Sequence, residues 1–122
     1  MQAVLYDRYG GPEVLRLAGV AEPVAAPGEV VVRVRAASVN PLDWKLRAGQ
    51  LSFLAGRKFP KHSGFDFAGI VESCGLEVTG LKPGDEVFGG TNPMVAGRGT
   101  FAEKCVTGSN LVAPKQIGRA HV

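Results

Sequence analysis

The sequence predicts a mainly β protein, a small and partly open β-barrel with one or two short helices. Two observations support this fold class. The 122 residues include 17 glycines and 8 prolines, which fall between short apolar runs as turns fall between strands. Residues 29–37 alternate in hydrophobicity, which is typical of a half-buried strand. The length gives room for one domain with one hydrophobic core and excludes a second complete domain.

Seven segments have the composition of strands and are separated by turn residues. In chain order these segments are 1–6, 14–17, 29–37, 66–72, 86–88, 101–106 and 111–113. The 29–37 strand has the clearest pattern, and its alternation predicts one core face. That face consists of Val30, Val32, Val34 and Ala36.

Proline and glycine mark the turns and one helix. Pro27-Gly28 is typical of a turn, and Pro83-Gly84 suits a type II turn because glycine adopts positive φ readily. Pro41 fits a first helical position and Gly49 follows the last periodic residue, so we expect a short helix between them. Residues 51–62 lack periodicity and are predicted to form a surface loop.

Charge and apolar content indicate which partners and which cellular compartment to expect. The formal net charge is +3, but the basic residues are dispersed, so we expect no nucleic-acid binding. No apolar run approaches the roughly 18 residues of a membrane span, and no leader is evident. We therefore expect a cytoplasmic protein, with organelle association left open. Cys74 and Cys105 are expected to be reduced and inert.

Four segments carry a family resemblance in their order and spacing: Val39–Lys45, Gly64–Val71, Gly80–Gly89 and Gly99–Glu103. Together they resemble the GroES-like N-terminal domain of zinc-free quinone oxidoreductases and alkenal (enone) reductases of the medium-chain dehydrogenase/reductase superfamily. The likeness covers residues 1–115. It implies NADPH-dependent hydride transfer to a small quinone or α,β-unsaturated carbonyl. The sequence does not determine whether NADPH is preferred to NADH.

The resemblance also indicates site residues. It places Asn40 against the nicotinamide end of the cofactor and the substrate, where its amide can donate to a carbonyl or enolate oxygen. A turn or capping role for Asn40 is the alternative. Lys45, one helical turn beyond, can stabilise an enolate or donate a proton, or it is a solvated surface lysine. We expect Asp43 to steady the helix dipole, Trp44 to lie in the core and Asp66 to accept backbone hydrogen bonds.

No metal site is predicted. Zinc-dependent relatives have Cys at the position of Asn40 and Gly-His-Glu at the position of Gly64-Phe65-Asp66. Phenylalanine cannot ligate zinc, and the cysteine cluster of the structural zinc site is missing.

Residues 116–122 depart from the family pattern. Their sequence, Gln-Ile-Gly-Arg-Ala-His-Val, reads as the translation of a common sequencing-library adapter, so we expect a non-native tail. The family's nucleotide-binding Rossmann domain is then absent from this chain, and the fragment alone is expected to be inactive. A homodimer of the full-length protein is left open. The alternative is a non-catalytic GroES-like binding or scaffold protein, which a glycine-rich βαβ unit encoded downstream would exclude.

Overall fold

The fold is built from antiparallel strands, which confirms the mainly β prediction. A computed structural model describes residues 1–50, 52, 58–93, 95 and 97–115. The strands are β1 Gln2–Tyr6, β2 Leu15–Gly19, β3 Glu29–Ser38, β4 Lys61–His62, β5 Asp66–Cys74, β6 Glu86–Gly90, β7 Lys104–Gly108 and β8 Val112–Pro114. The helices are α1 Pro41–Arg47 and two 3-10 turns, Pro12–Val14 and Ser109–Leu111. No helix among the described residues is long and apolar enough to cross a membrane.

The strands form two sheets. The smaller has the order β2-β1-β4, and the larger has the order β7-β3-β5-β6-β8. Within the described residues neither sheet closes on itself, so the predicted partly open barrel is confirmed. The long β3–β5 pairing is the centre of the larger sheet and runs from the Val30–Cys74 pair to the Ser38–Asp66 pair.

The core lies on one face of the larger sheet. It is a cluster of buried side chains from four strands: Val30, Val32, Phe67, Val71, Val87 and Cys105. Val34 is half-buried and packs against this cluster. The prediction for Ala36 was wrong, since its side chain is exposed. The β3–β5 register shifts between Val34 and Ala36, and such a bulge breaks the alternation that carried the prediction.

Both predicted proline-glycine turns are present. Glu29 N–H donates to Ala26 O at 2.9 Å across Pro27-Gly28, and Gly28 has φ of 80°. Asp85 N–H donates to Lys82 O at 3.1 Å across Pro83-Gly84, and the φ of 95° at Gly84 fits the predicted type II turn.

Most predicted strands are within two residues of the observed bounds, and the larger differences are at β7 and β4. β7 begins at Lys104 rather than at residue 101, and Ala102 makes only an isolated bridge to Ala3. The predicted 51–62 loop contains β4, which pairs with β1 through Leu5–His62 and Tyr6–Lys61. Residue 51 and residues 53–57 of that loop, and the tail 116–122, lie outside the described residues.

Candidate functional site at the start of α1

Asn40 is the second of the two residues between β3 and α1, and it directly precedes the helix. Its backbone is extended, with φ of −113° and ψ of 158°, as expected of an N-cap residue before Pro41. The Asn40 N–H donates to Asp43 Oδ2 at 2.7 Å, which satisfies a backbone group that the helix itself cannot. At the other end, Gly49 has φ of 90° and Gln50 N–H donates to Lys45 O at 3.1 Å. This left-handed glycine cap ends the helix where the sequence predicted.

The side chain of Asn40 contacts β5. Its Nδ2 donates to Asp66 Oδ2 at 2.9 Å, and Ser38 Oγ lies 3.5 Å from the same oxygen. Ser38 and Asp66 are directly paired at the end of the β3–β5 ladder. The sheet register therefore brings Asp66 close to Asn40, the second residue after β3.

Asp43 is buried beneath this contact. Its side chain is 4% exposed, and its Oδ1 has no hydrogen-bond partner among the described residues. Burial is the main cause that raises the pKa of Asp43, and the nearby Asp66 charge adds to it, while hydrogen bonds from the Asn40 and Gly64 backbone oppose the rise. Asp43 therefore does more than face the helix dipole, because it fixes the backbone of Asn40.

Lys45 lies on the solvent side of α1. Its Nζ is 5.8 Å from the centroid of the Trp44 ring, within the range of a cation–π contact. Trp44 is 43% exposed, so the expectation of a core tryptophan was wrong. No contact found among the described residues joins Lys45 to Asn40. The two predicted site residues are linked only through α1, which contains Lys45 and has Asn40 as its N-cap.

An open cleft of about 310 Å³ lies beside Asp66. Its lining is apolar except for one hydroxyl and one carboxylate, and consists of Ala36, Ala37, Ser38, Asp66, Phe67 and Ala68. Asn40 is connected to this cleft through Asp66, the lining residue whose carboxylate accepts from its amide. A small, mostly apolar molecule with one polar oxygen fits this chemistry.

The described residues hold no group of three or more His, Cys, Asp or Glu side chains that could bind a metal. Cys74 and Cys105 are free, and burial raises the pKa of the Cys105 thiol to about 12. The absence of zinc stays a prediction from the sequence. Helix α1 begins at Pro41, directly after Asn40, and not after a glycine-rich turn of the kind that binds a dinucleotide phosphate.

Sequence reasoning missed the contact between Asp66 and Asn40. Alternation correctly placed Asp66 opposite Phe67, which is 4% exposed. It gave no indication that the Asp66 carboxylate would accept from a side chain 26 residues away. That contact depends on the β3–β5 register, which a single sequence does not specify.

Known proteins are similar to this chain in fold and in sequence. Residues 26–117 match the alcohol dehydrogenase GroES-like domain. The chain is 37% identical to the chloroplastic quinone-oxidoreductase homolog of Spinacia oleracea, over 98% of this chain and 37% of that protein. It is 36% identical to the 2-methylene-furan-3-one reductase of Solanum lycopersicum, over 98% of this chain and 32% of that protein.

A solved structure is also similar to this chain. A mycobacterial protein complexed with NADPH superposes with a TM-score of 0.81 at 31% identity, over 94% of this chain and 34% of that chain. The chain spans about a third of the length of the curated relatives it matches. The fold, the motifs and the matched residues together show that this chain belongs to the GroES-like domain family of the medium-chain dehydrogenase/reductase superfamily.

Proposed function

We propose that this chain is the substrate-facing domain of an NADPH-dependent oxidoreductase that reduces quinones or α,β-unsaturated carbonyls by hydride transfer. The observation that carries the proposal is the Asn40 side chain, whose amide donates to Asp66, a residue that lines an apolar cleft. A quinone or enone is a mostly apolar molecule with a carbonyl oxygen, and that oxygen needs one hydrogen-bond donor.

Asn40 is the donor in this proposal. When a hydride reaches the substrate, negative charge develops on its carbonyl oxygen, and a fixed N–H donor aimed at that oxygen lowers the barrier. An amide donates without giving up a proton, so Asn40 keeps the same state through the reaction. Bound NADPH would supply the hydride, and Asn40 would also contact its nicotinamide end.

Lys45 is the second candidate and would stabilise the enolate or return a proton to it. Its ammonium is exposed beside the Trp44 ring, so it could reach a substrate that extends from the cleft to the solvent face of α1. Solvent is the other source of the proton.

The names of the relatives support the substrate class. A quinone-oxidoreductase homolog and a 2-methylene-furan-3-one reductase are each more than a third identical to this chain, and the mycobacterial neighbour was solved with NADPH. The phosphate-binding unit for NADPH would come from a part of the protein outside this chain, so we propose that residues 1–115 alone are inactive. The cytoplasmic location and the full-length homodimer stay predictions.

The test uses the complete protein encoded by the source gene. Steady-state NADPH oxidation is measured with a quinone series and an enone series for the wild type, Asn40→Ala and Asn110→Ala. Asn110 is an exposed asparagine remote from the cleft and serves as the matched control. We expect Asn40→Ala to lower kcat by about 10²–10³-fold, the effect of removing one donor to a developing oxyanion, and Asn110→Ala to leave it unchanged.

Equal kcat values for Asn40→Ala and Asn110→Ala would remove Asn40 from the mechanism. A wild-type protein that oxidises NADPH with neither substrate series would overturn the proposed function as a whole.

A further inference from the structure

The Asn40 amide is held by a carboxylate, and the chemistry of that acceptor determines the orientation of the amide. Asp66 Oδ2 lies 2.9 Å from Asn40 Nδ2. An ionised carboxylate only accepts hydrogen bonds, so the amide nitrogen, and not the amide oxygen, must face it. Asp66 therefore fixes which way round the Asn40 amide sits.

The position of Asp66 is itself fixed by the sheet. Asp66 begins β5 and pairs with Ser38 on one side and Gly90 on the other. A Cβ at Gly90 would come within 2.8 Å of Phe65 O, so the backbone before Asp66 is closely packed. A residue paired on both sides cannot shift without breaking ladder hydrogen bonds.

The backbone of Asn40 is held independently. Its N–H donates to the buried Asp43 carboxylate at 2.7 Å. Two carboxylates from different elements thus hold one asparagine, one through its main chain and one through its side chain. The bond to Asp66 uses one of the two Nδ2–H groups, and the other makes no hydrogen bond within the described residues.

We propose that Asp66 is a positioning residue, which orients the Asn40 amide so that its remaining N–H is presented to a carbonyl oxygen in the cleft. The catalytic consequence rests on the proposed function. Asp66 does not touch the reacting atoms in this proposal; it acts through Asn40. Its carboxylate lines the same cleft, and the charge also disfavours an anionic group on that wall.

The first test reads the amide directly, without activity. The complete protein is prepared with ¹⁵N in asparagine side chains, and the Asn40 pair of NH₂ signals is assigned by its loss in Asn40→Ala. In Asp66→Ala we expect the proton that faced Asp66 to move upfield and to exchange faster with water. Asp66→Asn keeps an acceptor oxygen and should retain most of the wild-type shift. Asp7→Ala, which removes an exposed aspartate paired with Arg16, is the control and should leave the pair unchanged.

The second test exchanges the two partners. Asn40→Asp alone puts two carboxylates in hydrogen-bond contact and should destabilise the fold. The double variant Asn40→Asp/Asp66→Asn restores a hydrogen bond with its direction reversed, so it should recover stability. Position 40 then presents an acceptor to the substrate, and we expect kcat to stay at least about a hundredfold below the wild type. Asp66→Ala should lower kcat by up to about a hundredfold with a smaller change in KM, because misplacing a reacting group has costs of that order.

The outcomes separate the two proposals. Unchanged Asn40 NH₂ signals in Asp66→Ala, or a swapped double variant with wild-type kcat, would overturn the positioning role. Shifted Asn40 signals in a complete protein that reduces neither quinones nor enones would support the orientation by Asp66 while overturning the proposed function.

Discussion

Asn40 and Asp66 are hydrogen-bonded side chain to side chain at 2.9 Å, although 26 residues separate them in the chain. Asn40 lies two residues after the end of β3 and Asp66 begins β5, so their contact forms only when these two strands pair in the observed register. The candidate site is thus a product of the sheet and not of a local motif.

Lys45 is predicted to take part in the reaction from the solvent side of α1. Lys45→Met in the complete protein should lower kcat by about 10²-fold if the ammonium is the proton donor, a typical contribution of general acid catalysis. Lys82→Met is the matched control, since the Lys82 side chain is 80% exposed and pairs with Asp85 at the surface. Equal kcat for the two variants, measured by NADPH oxidation, would assign proton delivery to solvent.

Asp43 should give the fold a characteristic pH dependence. Its pKa is raised above the ordinary 3.8, so between the two values the folded protein keeps a proton that the unfolded chain has lost. The stability that this carboxyl contributes therefore falls as pH rises through the raised pKa. Asp43→Asn has no ionisable group at this position. As pH rises from 3.8 to the raised pKa, the free energy of unfolding of the wild type should therefore fall relative to that of the variant. Urea unfolding of both proteins across this pH range checks the sign, and a relative stability that rises with pH would contradict the burial of Asp43.

Gly64 is predicted to be irreplaceable for two separate reasons. Its φ is 100°, and a Cβ there would come within 2.9 Å of the Phe101 backbone nitrogen. Gly80 has φ of 83° but open space around it. Gly80→Ala should cost about 1–2 kcal/mol from backbone strain alone, and Gly64→Ala should cost clearly more. The comparison is made by chemical denaturation, and equal losses would mean that steric contact at Gly64 is relieved by movement of its neighbours.

Two phenylalanines on neighbouring strands test the assignment of the sheet faces. Phe67 is 4% exposed in the core, whereas Phe88 is 50% exposed on the opposite face. Phe67→Ala should destabilise the fold by about 3–5 kcal/mol through lost burial and a cavity. Phe88→Ala removes the same atoms and should cost less than about 1 kcal/mol. A large loss for Phe88→Ala in the complete protein would show that another part of that protein covers this face.

Local signals in the sequence predicted much of the fold. The turns at Pro27-Gly28 and Pro83-Gly84 and the end of α1 at Gly49 were correct, because each depends on the φ preference of one or two residues. The predicted burial of Val30 and Val32 was correct, although Val31 between them is buried as well, which alternation alone does not predict.

Features that depend on distant residues could not be predicted. The bulge that exposes Ala36 exists only in the pairing of β3 with β5. Trp44 was expected in the core, but α1 turns it outward, where the Lys45 ammonium covers it. Asn40 was proposed from a family motif, whereas its partner Asp66 became evident only from the strand register.

The central claim is that this chain faces the substrate in an NADPH-dependent reductase. The most direct measurement gives the complete protein NADPH with deuterium at both C4 positions, with a quinone or an enone as acceptor, and follows NADPH consumption and the label in the product. We predict that NADPH is consumed with at least one acceptor, and that any reduced enone carries deuterium at its β-carbon. NADPH left unconsumed with both acceptors, or a reduced enone without the label at that carbon, would contradict the claim.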